Sequence, residues 1–564
     1  MHRIPRMIYL CLMAIVVFGF VSTALAVVDE AGTVGSEHSS FVGYVPDVIV
    51  VEFEDDVYQQ FNPGELIKGR TGNRQIDGLL RRYNAGRIRK QFMHARPRWF
   101  RGRQLNLARW HKIHFRRNID VAGVAAAIKE LDGVIDAQPV GIHEVYLTPN
   151  DPFYKHPEYT DQWHLDQPND ADIDAPEAWE YETGNVEIVV AVLDTGVRYY
   201  HQDLGGSNAS LNNPQAADGN MWVNWEEKNG DAGVDDDGNG YIDDWIGWDF
   251  VDGAFNCWTG EDCSTEDNDP RDFNAHGTHV SGIIAALNNN GYSCASTAGG
   301  WGNGSLQPTA SGVKIMPLRI GYSARYLGQE RGTVRMDFAA EAFYYAADNG
   351  AHFANGSWGS SNSGGLGAAV DYFIASGGLV FIAAGNENNE QADYMASRPD
   401  VIAVAATDQN DCKAGFSSYG SWVDISSPGE EILSLYHDHS DPATDYLAFL
   451  SGTSMASPLA LSVAALILSQ HPSWSAAMVK RHLFNSADAI EGLTCNASYT
   501  GKLGAGRVNA YNAVGPCAGD LDNNGTVDGI DLAGFIARFD SGQADEIDLE
   551  ILSDYFGRTG CPFR

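Results

Sequence analysis

Residues 186–196 read VEIVVAVLDTG, an uninterrupted apolar run that ends in a carboxylate and a small-residue turn. A strand covered on both faces has this composition, because neither face meets water and alternation with polar residues is lost. GLVFIAAGN at 378–386 repeats the pattern, while GTHVSGIIAAL at 277–287 and SMASPLALSVAALILSQH at 454–471 read as helices that open at polar residues. Buried strands alternating with helices predict an α/β fold with a parallel β-sheet flanked by helices. Ligands of open parallel sheets bind beyond the carboxyl ends of the strands, and it is there that the chemically interesting residues fall.

A serine hydroxyl is a poor nucleophile at neutral pH and needs an imidazole as base and a carboxylate to orient that imidazole. Asp194 in VLDTGV, His276 in HGTHVSG and Ser454 in SGTSMASP supply these groups. Singly they fit a strand-end Asp, a helix-start His and a helix N-cap Ser. Together, in the order Asp, His, Ser, they resemble the subtilisin (subtilase) family of serine proteases, a resemblance that spans roughly 150–513. It implies that Ser454 attacks the scissile carbonyl, His276 takes its proton and Asp194 holds the useful tautomer, with His279 structural. By the same resemblance Asn386, in AAGNEN, joins the serine's own N–H as oxyanion donor. Substrate is then expected as an extended strand between Ser357-Trp358-Gly359 and Ala383-Ala384-Gly385, where Trp358 replaces a smaller residue common in relatives. By the same resemblance the segment YMASRPDVIAV follows the base of the primary specificity pocket, which implies that Asp393, just before it, brings a carboxylate there. An acidic floor there favours Arg or Lys before the scissile bond; the alternative is a solvent-facing loop Asp.

Working outward, His2, Arg3 and Arg6 precede an apolar run from Met7 to Phe20 and Ala24-Leu25-Ala26, the layout of a cleavable secretory signal over 1–26. The run is short for a bilayer span, and no later segment reads as apolar enough to cross one, so a secreted, extracellular product without a membrane anchor is expected. Residues 27–45 form a polar, flexible leader. YVPDVIVVEF, IDGLLRRYN, WHKIHF and VAGVAAAIKELDGVIDAQPV then alternate strand and helix patterns, predicting a small α+β domain over 46–146. That segment carries 17 Lys+Arg against 12 Asp+Glu, whereas the chain from Leu147 onward carries 18 against 59, within a net charge of -37. So acidic a body excludes a nucleic-acid partner. The basic segment resembles the inhibitory propeptide of secreted subtilisins. This makes the chain's own propeptide a partner beside protein substrates, and starts the mature catalytic domain, 150–514, between Tyr146 and Asn150.

Calcium is the expected cofactor, in a structural role. Asp235, Asp237, Asn239, Tyr241 and Asp243 have the alternate-residue spacing that wraps a hard cation around the sharp turn of Gly240. Ile246 stands where a closing Glu would be, so at least one ligand must come from elsewhere. The family resemblance adds a second site at Asp151, Asp203 and Asn289. Past Gly515 the sequence turns Asp/Gly-rich, and Asp520, Asp522, Asn524, Thr526, Asp528 and Asp531 complete a 12-residue pattern that resembles a dockerin repeat. The second copy keeps Asp545 and Asp548 but lacks the earlier ligands. A small helical, calcium-folded module over 516–564 is therefore expected, and a cohesin-like partner only if the damaged copy still serves. Of eight cysteines, Cys11 leaves with the signal. Cys257 with Cys263 and Cys517 with Cys561 each frame one compact insert, and pairing among Cys294, Cys412 and Cys495 is open. Two rival functions remain: a silent scaffold that docks a partner through its tail, and a glycosidase with paired carboxylates. The complete Asp/His/Ser set opposes the first, and the metal-ligand spacing of the acidic residues opposes the second.

Overall fold

A computed structural model of the chain describes residues 41–143 except 94, 96–97 and 101–102; residues 147–515 except 156–161; and residues 527–557 except 528 and 541–543. Seven parallel strands form the central sheet, in the order Ile425–Pro428, Ile402–Thr407, Leu379–Ala383, Phe353–Gly356, Val189–Asp194, Lys314–Arg319 and Trp248–Asp249. The earliest of these in the chain, Val189–Asp194, lies inside the sheet. Later strands are added on both of its sides, so its carboxyl end is a topological switch point.

Its apolar run serves two cores. Val190 and Val192 join the cluster that holds Val280, Ile283, Met455 and Leu459 from helices His276–Ala285 and Thr453–Gln470. Ala191 and Leu193 join the opposite one, with Phe338, Phe343, Val370 and Phe373 from helices Met336–Asp348 and Leu366–Ala375. Full burial of each such side chain is worth about 1.5–3 kcal/mol. Thr453–Gln470 corrects one expectation: it is long and apolar enough to cross a membrane, yet 89% of it is buried inside the protein, and it is the sheet's central supporting helix.

Residues 41–143 form a four-stranded antiparallel sheet, ordered Ala85–Lys90, Trp110–Phe115, Phe41–Phe53, Val134–His143. Ile76 and Leu80 of helix Arg74–Arg82 and Val124 and Ile128 of helix Val121–Lys129 share a core with Ile49, Val51 and Ile113 of its strands.

Cys257–Cys263 is bridged as expected, Cys412–Cys495 is the second disulfide, and Cys294 is a buried free thiol. Cys517 and Cys561 lie outside the described residues.

The tail's described part is two helices, Gly529–Asp540 and Glu546–Tyr555. The two carboxylates kept by the damaged copy have structural work. Asp545 caps the second helix in a reciprocal capping box with Asp548. Arg481, on helix Ala476–Asn485, reaches Asp548 at 2.7 Å and Asp545 at 2.8 Å. Trp474 Nε1 donates to Asp554 at 2.7 Å, and Ile551, Leu552 and Tyr555 are buried in the same core cluster as Val479 and Leu483. The tail is thus packed onto the α/β domain by both charge and apolar surface. The Arg481–Asp545 pair is half-exposed and such pairs contribute little, about 0–1 kcal/mol, and Arg481 itself stays partly open to solvent, so the apolar contact is the larger part of the packing. Tyr555→Ala is accordingly expected to speed proteolysis of the 544–557 segment at least tenfold, while Arg481→Ala changes it by less than threefold, by timed limited digestion.

Candidate active site

Asp194 ends the central strand and His276 begins its helix, the two joined by hydrogen bonds from His276 Nδ1 to Asp194 Oδ1 at 2.8 Å and Oδ2 at 3.0 Å. The fold brings them together through small residues: a Cβ on Gly277 would stand 2.1 Å from the carbonyl oxygen of Gly196 and 3.0 Å from the Asp194 Cβ. The Asp194 side chain is 2% exposed and that of His276 28%, so the carboxylate is sealed while the imidazole keeps an open edge. Desolvation works to lower the imidazole's pKa, but the charge and hydrogen bond of Asp194 outweigh it, and the net shift is upward. His279 differs: it is fully buried, holds Ala448 O at 3.1 Å, and burial lowers its pKa to about 3, which keeps it neutral.

Ser454 is the second residue of the Thr453–Gln470 helix, where N-terminal dipoles favour developing negative charge. Its Oγ donates to Ser357 O at 3.1 Å, and Ser357 Oγ donates back to Ser454 O at 2.8 Å. Asn386 Oδ1 accepts from Thr453 N at 2.9 Å and Thr453 Oγ1 at 3.0 Å. With its oxygen so fixed, the amide nitrogen is turned to the Gly452–Ser454 turn, 3.5 Å from where a Cβ on Gly452 would be. Gly385, at φ +100°, makes the bend that delivers Asn386 there, a conformation an L side chain would strain.

Ser357, Trp358, Ala383 and Ala384 are buried, while Gly359 is exposed. The Trp358 indole does not enlarge the cleft side: it is buried in the second core and donates to Leu193 O at 2.7 Å. Asp393 accepts from Ser360 N at 2.8 Å, Ser360 Oγ at 2.9 Å and Ala396 N at 3.1 Å, tying the loop after the first segment to the turn after the second.

Sequence reasoning missed a β-hairpin, Gly321–Tyr326 with Gln329–Val334, which rises directly from the strand beside Asp194. Ile320 N donates to Asp194 O at 2.9 Å and Asn274 Nδ2 to Ser323 Oγ at 2.9 Å, seating the hairpin against the site. Its turn, Leu327-Gly328, has both residues at positive φ. Leu-Gly is a weaker signal for such a turn than Asn-Gly, so the sequence did not reveal it.

Of the metal-ligand expectations, Asp237 comes together with Glu227 and Asp244 in a triangle of carboxylate oxygens within 4.8 Å of one another. Glu227 and Asp244 were not legible as ligands. Glu227, from an earlier helix, also accepts from the N–H groups of Asp236, Asp237 and Asp243, closing the loop. Asp235 accepts from the N–H groups of Gly238, Asn239 and Gly240, and Asp243 from Gly233 N. Asn239 Nδ2 donates to Asp237 and Asp244, and Tyr241 packs edge-on against Trp248 and Tyr345. Asp151 and Asp203 are both buried; burial raises Asp151 to about 6, and burial together with the charge of Asp151 lifts Asp203 well above the usual range. Asn289 N donates to Asp151 at 2.6 Å, while its side chain donates to Gly302 O and accepts from Asn150 N, and it is Asn290 whose Nδ2 reaches Asp203 at 2.7 Å. Both clusters carry excess negative charge met by amide donors, which fits a hard cation. Asp531 is buried at the start of the first tail helix, and Asp520, Asp522, Asn524, Thr526 and Asp528 lie outside the described residues.

The family comparison agrees with this architecture. The subtilase family pattern matches residues 185–512. Thermitase from Thermoactinomyces vulgaris is 34% identical over 368 residues, covering 65% of this chain and 99% of its own. A thermophilic serine proteinase from Bacillus sp. (strain AK1) is 31% identical over 401 residues, 70% of this chain and 77% of its own, and subtilisin BL from Lederbergia lenta is 37% identical over 244 residues, 43% and 78%. The chain belongs to the subtilase family. It is a serine endopeptidase.

Removing divalent cations with excess chelator is expected to lower the melting temperature by on the order of 5 °C, since ions bound only by the folded state stabilise it by mass action. Calorimetry with and without chelator checks this, and superimposable transitions would refute the metal reading.

Proposed function

We propose that the protein is a secreted endopeptidase made as a zymogen, with Asp194, His276 and Ser454 as its catalytic triad. The observation that supports the reading is the sealed Asp194–His276 pair with its open imidazole edge, together with an Asn386 amide held at the start of the helix that carries Ser454. Ser454 Oγ, turned from the Ser357 carbonyl toward His276, gives its proton to Nε2 as it attacks the peptide carbonyl. Asp194, held against Nδ1, fixes the tautomer and stabilises the imidazolium. The oxyanion receives hydrogen bonds from the Ser454 N–H and Asn386 Nδ2. The leaving amine takes the proton from His276, and water then hydrolyses the acyl-enzyme by the reverse roles. Losing one oxyanion donor costs about 100- to 1000-fold in turnover in a subtilisin, the scale expected for Asn386→Ala.

Substrate adds as an extended strand between 357–359 and 383–385, and calcium, held at the Asp151/Asp203/Asn289 and Glu227/Asp237/Asp244 clusters, supplies rigidity and takes no part in the chemistry. Residues 46–146 act as the inhibitory propeptide. Packing of the tail's second helix onto the α/β domain through Ile551, Leu552 and Tyr555 covers that face of the helix and speaks against its serving a cohesin partner.

Ser454→Ala is expected to abolish casein hydrolysis and to leave the leader attached, because leader removal is self-cleavage. A purified variant that still matures overturns the zymogen reading, and wild-type activity untouched by a serine-directed covalent inhibitor overturns the triad. Specificity is read on matched peptides ending in Arg, Phe or Leu. Asp393→Asn is expected to lower the Arg-to-Leu ratio of kcat/KM about tenfold or more, the scale of one charge contact in a pocket; an unchanged ratio assigns Asp393 only its loop contacts with Ser360 and Ala396.

A further inference from the structure

A second carboxylate is built into the site beneath the His276 helix. Asp272 is 2% exposed and receives five hydrogen bonds. Its Oδ1 accepts from Thr195 Oγ1 at 3.0 Å and from the N–H groups of Asn274 and Ala275, each at 2.9 Å. Its Oδ2 accepts from Thr278 Oγ1 at 2.7 Å and Thr278 N at 3.0 Å.

These partners flank both members of the Asp194–His276 pair. Thr195 directly follows Asp194, and its own N–H donates to Asp194 Oδ1 at 2.7 Å. Its Oγ1 donates to Asp272 and accepts from Gly277 N at 3.1 Å, so one hydroxyl ties the strand end to the residue after the base. On the other side, Ala275 has φ +86°, a left-handed conformation that a residue with a Cβ enters only when the surroundings impose it. The bond from its N–H to Asp272 is part of that imposition. The backbone is therefore pinned on both sides of His276 to one buried carboxylate.

We propose that Asp272, acting through Thr195 and Ala275, is a positioning residue that sets the His276–Asp194 geometry and adds a second negative charge behind the imidazole; this rests on the triad reading above. The groups that face this pair are Asp194 and Asp272 themselves, the neutral His279, Glu261 and Tyr200. Arg271 is turned away onto Asp269 at 2.6 Å. Burial raises the Asp272 carboxyl to about 6, with the hydrogen bonds from Thr278 and Ala275 opposing, so it is ionised at neutral pH and above.

The sign of its electrostatic effect follows. The base must be neutral to accept the serine's proton, and the acid limb of kcat/KM reports its pKa in the free enzyme. Asp272's charge favours the imidazolium, so removing that charge moves the limb to lower pH.

The test uses mature enzyme, its active sites counted with a serine-directed covalent inhibitor. Asp272→Asn is expected to lower kcat about 10- to 100-fold with KM within about twofold, and to shift the acid limb downward. Thr195→Val removes the bridging hydroxyl and keeps the charge: kcat falls about tenfold and the limb stays in place. A purely structural carboxylate would lower the melting temperature without this split. Titrated Asp272→Asn with wild-type kcat and an unmoved limb overturns the proposal. If Asp272→Asn does not fold, Thr195→Val decides, and wild-type kcat there overturns it as well. Wild-type enzyme that the inhibitor does not label sinks the triad reading and this inference together, whereas labelled wild type with indifferent variants sinks this inference alone.

Discussion

The hydrogen bonds between His276 and Asp194 join the end of the central strand to the start of a helix buried against the sheet. A strand-end carboxylate can meet a helix-start imidazole only if the two backbones nearly touch, which is why glycine stands at 277, while Gly196, at φ +104°, passes against the carbonyl oxygens of Pro270 and Arg271. It also requires the strand to be central, with crossovers leaving on both sides, and that demands two apolar faces. The continuous hydrophobicity of 189–193 is thus the sequence consequence of where the chemistry sits.

Local, short-range features of this arrangement were legible in the sequence. Asp194, His276, Ser454 and Asn386 each lie inside a segment whose neighbours show both the element and its end. What escaped reading is contributed across long sequence distances. Glu227 reaches the 235–244 loop from a preceding helix, and Cys412 finds Cys495 across 83 residues. No local pattern announces either, because the partner is chosen by the tertiary fold. The hairpin at 321–334 failed for another reason: its strands are mostly polar in sequence, buried only over Gly321–Ser323 and largely exposed beyond, so they lack the apolar periodicity that betrays a strand. In the tail, Asp545 and Asp548 read as leftover metal ligands. Their capping box is local to the helix start, but their pairing with Arg481 depends on a surface 64 residues away from Asp545.

The strong acidity of the α/β domain raises a question that the packing answers in part. Burial pushes Asp249 to about 8 and Glu261 to about 7, yet both are clasped by the buried guanidinium of Arg319, which restores much of the lost hydration. Arg198 meets Asp445 in the same way at 2.7 Å. These cations are buried among carboxylates, and each ties an inserted loop to the sheet's carboxyl edge.

Asp151 and Asp203 have no such guanidinium; their partners are amides from the 289–294 turn. A carboxylate whose pKa is raised in the folded state binds protons more tightly there than in the unfolded chain, so ionising it at neutral pH costs stability. The cost grows when two such groups face each other. A fold that keeps this pair beside Asn150 and Asn289 would be poorly served at neutral pH by protons alone. A divalent cation reverses the sign: the mutual repulsion becomes shared attraction, and the raised pKa values, which describe the pair without an ion, fall. With such an ion bound, the same carboxylates that destabilise the bare site would hold the 150–151 segment to the loop following the His276 helix.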